Sequence, residues 1–97
     1  MAADRGYAGT QYDLGFCYCM GDGVAQDDVE AVRLFKLAAD QGFTQAEFEL
    51  GVMYAMGRGV EQDVDEAIRW VERAAAKGHG DAKGVLAKLH SDIRSLA

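Results

Sequence analysis

The sequence predicts an all-α fold: two stacked 36-residue helix-turn-helix units followed by a C-terminal capping helix. Three observations predict it. The first is internal repetition. Shifted by 36 residues, Gly21-Asp22-Gly23-Val24 falls on Gly57-Arg58-Gly59-Val60. Residues 21–43 and 57–79 share 11 of 23 positions: Gly21, Gly23, Val24, Gln26, Asp27, Glu30, Ala31, Arg33, Ala38, Ala39 and Gly42, each with its partner 36 further on. Upstream, Leu14-Gly15, Tyr18 and Met20 match Leu50-Gly51, Tyr54 and Met56, while Ala2-Ala3-Asp4 and Gly6 match Ala38-Ala39-Asp40 and Gly42. The matched residues are chemically varied, and a period of this size marks stacked supersecondary units. The second observation is apolar spacing of three, four, seven and eight residues, the period of one helix face. The third is twelve glycines with no proline, nine of the glycines falling in the 36-residue register.

The elements follow in chain order. Repeats are expected at about 8–43 and 44–79, with the cap at about 80–97. The first helix of the first unit carries Leu14, Gly15 and Tyr18 on one side and Tyr12 and Phe16 on the other. Gly21 and Gly23 then supply positive φ in a tight turn, and Val24 plugs that turn into the core. The second helix begins at Asp27, with Glu30 three residues on, a spacing that lets N-cap and N3 side chains satisfy free amides reciprocally. Its buried face is Ala31, Val32, Phe35, Ala38 and Ala39, and Gly42 is placed to end it in a left-handed cap. Gly6, in register with Gly42, predicts a similar stop near the start of the chain.

The second unit repeats this plan. Its first helix runs from about Thr44 to Met56, and Thr44 with Glu47 reads as a capping box. Ala46, Leu50 and Tyr54 share one face, with Gly51 beside them; Phe48 and Val52 lie opposite. A glycine inside a helix costs roughly 1 kcal/mol against alanine, so its recurrence at Gly15 and Gly51 predicts close approach of a neighbouring helix. A helix that is apolar on two sides is sandwiched between neighbours. The next helix begins at Asp63 and Glu66, buries Ala67, Ile68, Val71, Ala74 and Ala75, and stops at Gly78. Gly57 and Gly59 make the intervening turn, with Val60 as its plug. The tail, Asp81 to about Leu96, is in register with a third first-type helix: Ala82 and Leu86 match Ala46 and Leu50, but Ala87 replaces the glycine and His90 the tyrosine. It is the basic part of the chain, with Lys83, Lys88 and Arg94, as suits the polar outer face of a terminal unit.

These residues resemble the Sel-one-like repeat (SLR) family, a relative of the tetratricopeptide repeat. Ala46, Leu50, Gly51, Tyr54, Gly57, Gly59, Val60, Asp63, Ala67, Trp70, Ala74, Ala75 and Gly78 fill the family motif in the second unit. Leu14, Gly15, Tyr18, Gly21, Gly23, Val24, Asp27, Ala31, Ala38, Ala39 and Gly42 fill it in the first, with Thr10 and Leu34 as substitutes. Many members carry proline after the Gly-Val pair; Ala25 and Glu61 stand there, which accounts for the missing proline. The resemblance implies an α/α solenoid with a right-handed superhelical path and use as a protein–protein scaffold or adaptor. Some cysteine-rich members pair cysteines within each repeat and are linked to penicillin binding; the spacing of Cys17 and Cys19 departs from that arrangement, so that activity is not carried over.

Composition narrows the function classes. A net charge of −6 argues against nucleic acid, which is met by a basic face. No apolar run reaches the roughly 18 residues of a membrane span, and no stretch reads as a signal peptide. An apolar share of 49% is that of a globular chain. Two cysteines are too few for a disulfide framework; free thiols fit a reducing compartment without identifying one. On a helix, Cys17 and Cys19 point about 200° apart, so they reach neither each other nor one shared ion. They read as packing residues, His79 as a turn residue and His90 as a core-edge substitute. Glu47 and Glu49 point apart and do not converge as an acid–base pair. Gly21-x-Gly23 and Gly57-x-Gly59 follow helices and lack the lysine of a phosphate loop. Trp70 reads as repeat-interface packing. No catalytic residue, metal ligand or cofactor is expected.

One stripe remains on the first-type helices. Asp13, Phe16 and Met20 lie on one face in the first unit, and Glu49, Val52 and Met56 repeat it in the second. Lining an inner surface, methionine and aromatic side chains amid acids make an adaptable peptide-binding groove. The other reading is that Phe16 and Val52 pack between adjacent first-type helices. The expected function is a non-enzymatic interaction module whose partner is a basic or amphipathic polypeptide. The alternative is a piece of a longer array: the chain begins inside what matches the end of a second-type helix, and a missing neighbour would expose Tyr7, Tyr12 and Phe16, a face that invites homo-association.

Overall fold

In the computed structural model the backbone is described for residues 2–96 and the side chains for residues 7–91. Among these residues five helices follow one another: α1 (Ala2–Met20), α2 (Asp28–Asp40), α3 (Thr44–Met56), α4 (Val64–Ala76) and α5 (Gly80–Leu96). There is no strand among the described residues. Each helix packs on the next in the chain, α1 on α2 through to α4 on α5. The molecule measures 42 × 30 × 18 Å. Its shortest dimension holds about two helix diameters of 10–12 Å, so the helices form two layers, with α1, α3 and α5 in one and α2 and α4 in the other.

The core is built where a second-type helix sits between two first-type helices. Ala31, Val32, Phe35, Ala38 and Ala39 of α2 pack with Ala46, Leu50 and Met53 of α3, and Trp70 of α4 joins the same cluster across the repeat boundary. Ala67, Val71 and Ala74 of α4 pack with Ala82 and Leu89 of α5 in a second cluster. The small residues on the second-type helices let the first-type helices come close. The glycines complete that contact from the other side. A β-carbon at Gly51 would lie 2.5 Å from Val71 Cγ2 and 3.1 Å from the Ala67 carbonyl oxygen; one at Gly15 would lie 3.0 Å from the Phe35 ring. Both distances are inside normal packing contact, which is why a residue that disfavours helix stands mid-helix twice.

The helix ends follow the glycine register. Gly42 and Gly78 have φ of +83° and +89°. Phe43 N–H donates to the Ala38 carbonyl and Gly42 N–H to the Ala39 carbonyl, at 3.2 and 2.9 Å. His79 and Gly78 repeat this onto Ala74 and Ala75, both at 3.0 Å. This paired pattern closes a helix with a left-handed residue. Gly21, Gly23, Gly57 and Gly59 also have positive φ. In the same turns Gln26 Nε2 donates to the Cys19 carbonyl at 3.0 Å, and Gln62 Nε2 to the Ala55 carbonyl at 2.8 Å. The identical glutamines tie each loop back to the helix it leaves.

Several expectations are corrected. Gly6 does not end a helix: α1 runs through it. The capping boxes are half-formed. Asp27 and Asp63 accept from the amides of Glu30 and Glu66 at 3.1 and 3.0 Å. The reciprocal contact is absent, since the amides of Asp27 and Asp63 donate to the carbonyls of Tyr18 and Tyr54 instead, each at 3.0 Å. Glu30 and Glu66 turn to Arg33 and Arg69. Thr44 caps nothing: it is the first residue of α3, and Phe43 occupies the N-cap position without a side-chain bond. Glu47 is buried and paired with Lys77. His90 is exposed rather than at the core edge; no second-type helix follows α5 among the described residues to cover it, whereas Tyr54, its counterpart, lies against both core clusters. Val60 packs on the core as expected, and Val24 is half-buried.

Candidate functional site

The stripe lies on the layer of first-type helices, and two ring contacts, one tilted and one stacked, define that layer. Tyr12 of α1 meets Phe43 at the start of α3, with ring centroids 5.4 Å apart. Thirty-six residues on, Phe48 of α3 stacks on His79 at the start of α5, at 4.3 Å and 14°. His79 is fixed further by a contact of 2.6 Å between its Nε2 and Gln45 Oε1. Neighbouring first-type helices are thereby pinned at one end. Beyond the rings, the surface between them opens.

Phe16, Met20 and Met56 are exposed to 41%, 63% and 59%, high for such apolar side chains, and Asp13 is exposed as well. Glu49 and Val52 are half-buried. Val52 and Met56 come together with Ala55 of α3 and with Val85, Lys88 and Leu89 of α5, around a groove of about 250 Å³. Phe16 keeps a ring contact to Tyr12 at 6.2 Å while much of it faces solvent. Of the six stripe residues, two therefore line the groove between α3 and α5, and the other four sit on and beside α1. The α5 residues were not named from the sequence. The signal for them was present, because Val85, Lys88 and Leu89 lie 36 residues after Glu49, Val52 and Met53.

The electrostatics locate Glu49. Burial pushes its carboxyl up, with His79 opposing. Its charge in turn adds to the burial that raises the Tyr12 hydroxyl and the Cys19 thiol, both on α1. Glu49 therefore faces the α1 side of α3. It makes no ion pair among the described residues, unlike Glu47 two positions earlier. Two other depressions are larger. One, of about 420 Å³, lies at the α2–α3 turn around Gly42 and Phe43; another, of about 460 Å³, lies at the α3–α4 loop around Val60 and Asp63. They are lined by turn residues and the adjoining helix ends together with Ala8 and Tyr54, and gather no exposed methionine.

The remaining chemistry is structural. Cys17 is half-buried and Cys19 buried, both free. No three metal-ligating side chains converge among the described residues. Trp70 is 92% buried at the repeat boundary, with the Arg73 guanidinium 4.8 Å above its ring. Among the described residues, no helix is long and apolar enough to cross a membrane.

Fold and surface together define a helical-repeat solenoid, stacked helix pairs presenting one layer as a continuous face. More particularly, the chain belongs to the Sel1 repeat family, whose model matches residues 8–43 and 44–79. Members of this family are generally non-enzymatic protein–protein interaction modules. Three solved structures are similar. The Sel1 repeat protein from Oxalobacter formigenes superposes with a TM-score of 0.81 at 37% identity, over 84% of this chain and 61% of that one. The c5321 protective antigen of uropathogenic Escherichia coli, which displays an SLR fold, gives 0.76 at 44% identity, over 84% and 17%. Cysteine rich protein B of Helicobacter pylori gives 0.76 at 26% identity, over 81% and 59%. The chain thus spans less than two thirds of each of these proteins. No curated protein matches the sequence.

Proposed function

We propose that the protein is a non-enzymatic adaptor that binds a polypeptide segment across α1, α3 and α5. The observation that carries this reading is the groove between α3 and α5, walled by Val52, Ala55, Met56, Val85 and Leu89 and continued by exposed Phe16 and Met20. Apolar side chains held open on a rigid helical frame favour association without ordering the frame itself. Methionine adapts to the shape of what it meets. An amphipathic segment matches such a surface, its apolar side entering the groove and its polar side left in water. Met56→Lys is expected to reduce affinity capture of partners at least tenfold. Val29→Lys, an exposed apolar position on α2, leaves it unchanged. Equal capture by the two variants would remove the assignment to this face.

One observation favours a second reading, stacking through the outer face of α1. Leu14 is 43% exposed, whereas Leu50, its counterpart, is fully covered by the preceding repeat. Tyr7 is 66% exposed, and its counterpart Phe43 is packed on the core. This face has the pattern that another repeat covers elsewhere in the molecule, so a second copy is its natural occupant. Light scattering from 10 μM to 1 mM is then expected to show a rising mass that the Tyr7→Glu/Leu14→Glu double variant abolishes. A constant monomer mass in the unaltered protein would rule this reading out.

A further inference from the structure

Aligned on the 36-residue period, the exposed face forms rows that cross α1, α3 and α5. One row is Asp13, Glu49 and Val85; another is Phe16, Val52 and Lys88. The same structural position therefore changes from acid to apolar in one row, and from apolar to base in the other. The consequence is a surface with two ends of opposite charge. Asp13 and the inward-facing Glu49 mark the α1–α3 end. Lys88 stands in the wall of the groove at the α3–α5 end. Val52 and Met56, on the helix shared by both ends, supply the apolar ground between them.

We propose that this face takes an amphipathic segment carrying a base that pairs with Glu49, an acid that pairs with Lys88, and an apolar side chain between them over Val52 and Met56. The inference rests on the proposed function and adds the charge order of the partner. Charge complementarity supports it. Glu49 is half-buried, makes no ion pair among the described residues, and has only the His79 imidazole acting on it as an opposing charge. A partially desolvated carboxylate without a paired cation is costly, and a ligand that supplies one relieves the cost. A uniformly basic segment, which the net charge of −6 alone would favour, meets Lys88 with like charge and is selected against. The two charged groups sit on neighbouring helices of one layer, whose axes lie about 10 Å apart. An extended segment covers that distance with about three residues at ~3.3 Å each.

The test is a ¹⁵N–¹H correlation titration of the full chain with three blocked nonapeptides. They share a central leucine and differ only at its two flanking charge positions, about three residues apart: Lys/Glu, Gln/Gln and Lys/Lys. The Lys/Glu peptide is expected to bind at least fivefold tighter than either of the others, with shifts centred on Val52, Met56 and Lys88. Lys88→Glu should reverse the order of the Lys/Glu and Lys/Lys peptides, and Glu49→Gln, which keeps the size of the side chain, should shrink the advantage of Lys/Glu over Gln/Gln to the part that the Lys88 pair supplies. If the three peptides bind α3 and α5 equally, the charge order is wrong and the apolar groove stands. If none perturbs the first-type helices at millimolar concentration, the groove assignment falls with it.

Discussion

Replacing Gly59 by alanine is expected to destabilise the protein by about 3 kcal/mol, while the same change at its counterpart Gly23 costs only about 1 kcal/mol. Both glycines have left-handed backbone, with φ of +72° and +79°, so both alanines meet the same conformational penalty. Their surroundings differ. A β-carbon on Gly23 would touch nothing within 4 Å, whereas one on Gly59 would be driven into the Asp28 carbonyl and lie 3.0 Å from the Val29 amide nitrogen. That obstacle is backbone, the start of α2 in the preceding repeat, and it has no rotamer by which to yield. The same approach brings Arg58 onto Asp28, with Nη2 2.9 Å from Oδ1, so the loop docks on the preceding repeat by shape and by charge together. Urea denaturation of both variants measures the difference. Equal midpoints would show that the loop does not make this contact in solution.

The contrast between these glycines shows what a repeat pattern states and what it leaves open. The 36-residue period identified both as turn glycines and implied the positive φ each adopts. It could not distinguish them, because the difference lies in which neighbour each turn meets, and a turn of the first unit has no preceding repeat in this sequence. The same limit applies to Glu47. Glutamate three residues into a helix after a hydroxyl residue is the local signature of a capping box, and local pattern carries no information about Lys77, thirty residues away. His90 was misplaced for the converse reason: its register position is a core edge only where a second-type helix follows. The close-packed glycines at 15 and 51 were legible because a mid-helix glycine has a local cost that only a nearby neighbour explains. The stripe can be placed from the sequence as one face of α1 and α3. Its α5 wall follows only from carrying the 36-residue register into the tail, which departs from the motif at Ala87 and His90 and reads as a cap rather than as part of a surface. The charge reversal between Glu49 and Lys88 emerges only when the tail is placed in the same layer.

Lys77→Gln is expected to lower stability by about 2 kcal/mol, and adding Glu47→Gln is expected to restore most of it. The Glu47 side chain is 3% exposed, and its two carboxylate oxygens lie 3.0 and 3.1 Å from Lys77 Nζ. The same ammonium donates to the Gly42 carbonyl at 2.8 Å, joining the end of α2 to the end of α4. Removing the cation leaves a carboxylate in the interface between repeats with nothing to offset its desolvation. Breaking a fully buried pair costs roughly 3–5 kcal/mol; the Lys77 side chain is 41% exposed, so water reaches the site and reduces the loss. The first unit shows what a neutral version looks like. Gln11 and Gln41, at the positions equivalent to Glu47 and Lys77, join through Gln41 Nε2 and Gln11 Oε1 at 2.7 Å, and Gln41 also donates to the Leu37 carbonyl. The double variant therefore installs in the second unit a contact that the protein already builds in the first. Thermal melts should place Lys77→Gln about 10 °C below the unaltered protein, at roughly 4–8 °C per kcal/mol for a domain of this size, with the double variant within a few degrees of it. A double variant as unstable as Lys77→Gln would show that the loss comes from the Gly42 contact or from packing of the lysine stem, and not from an orphaned carboxylate.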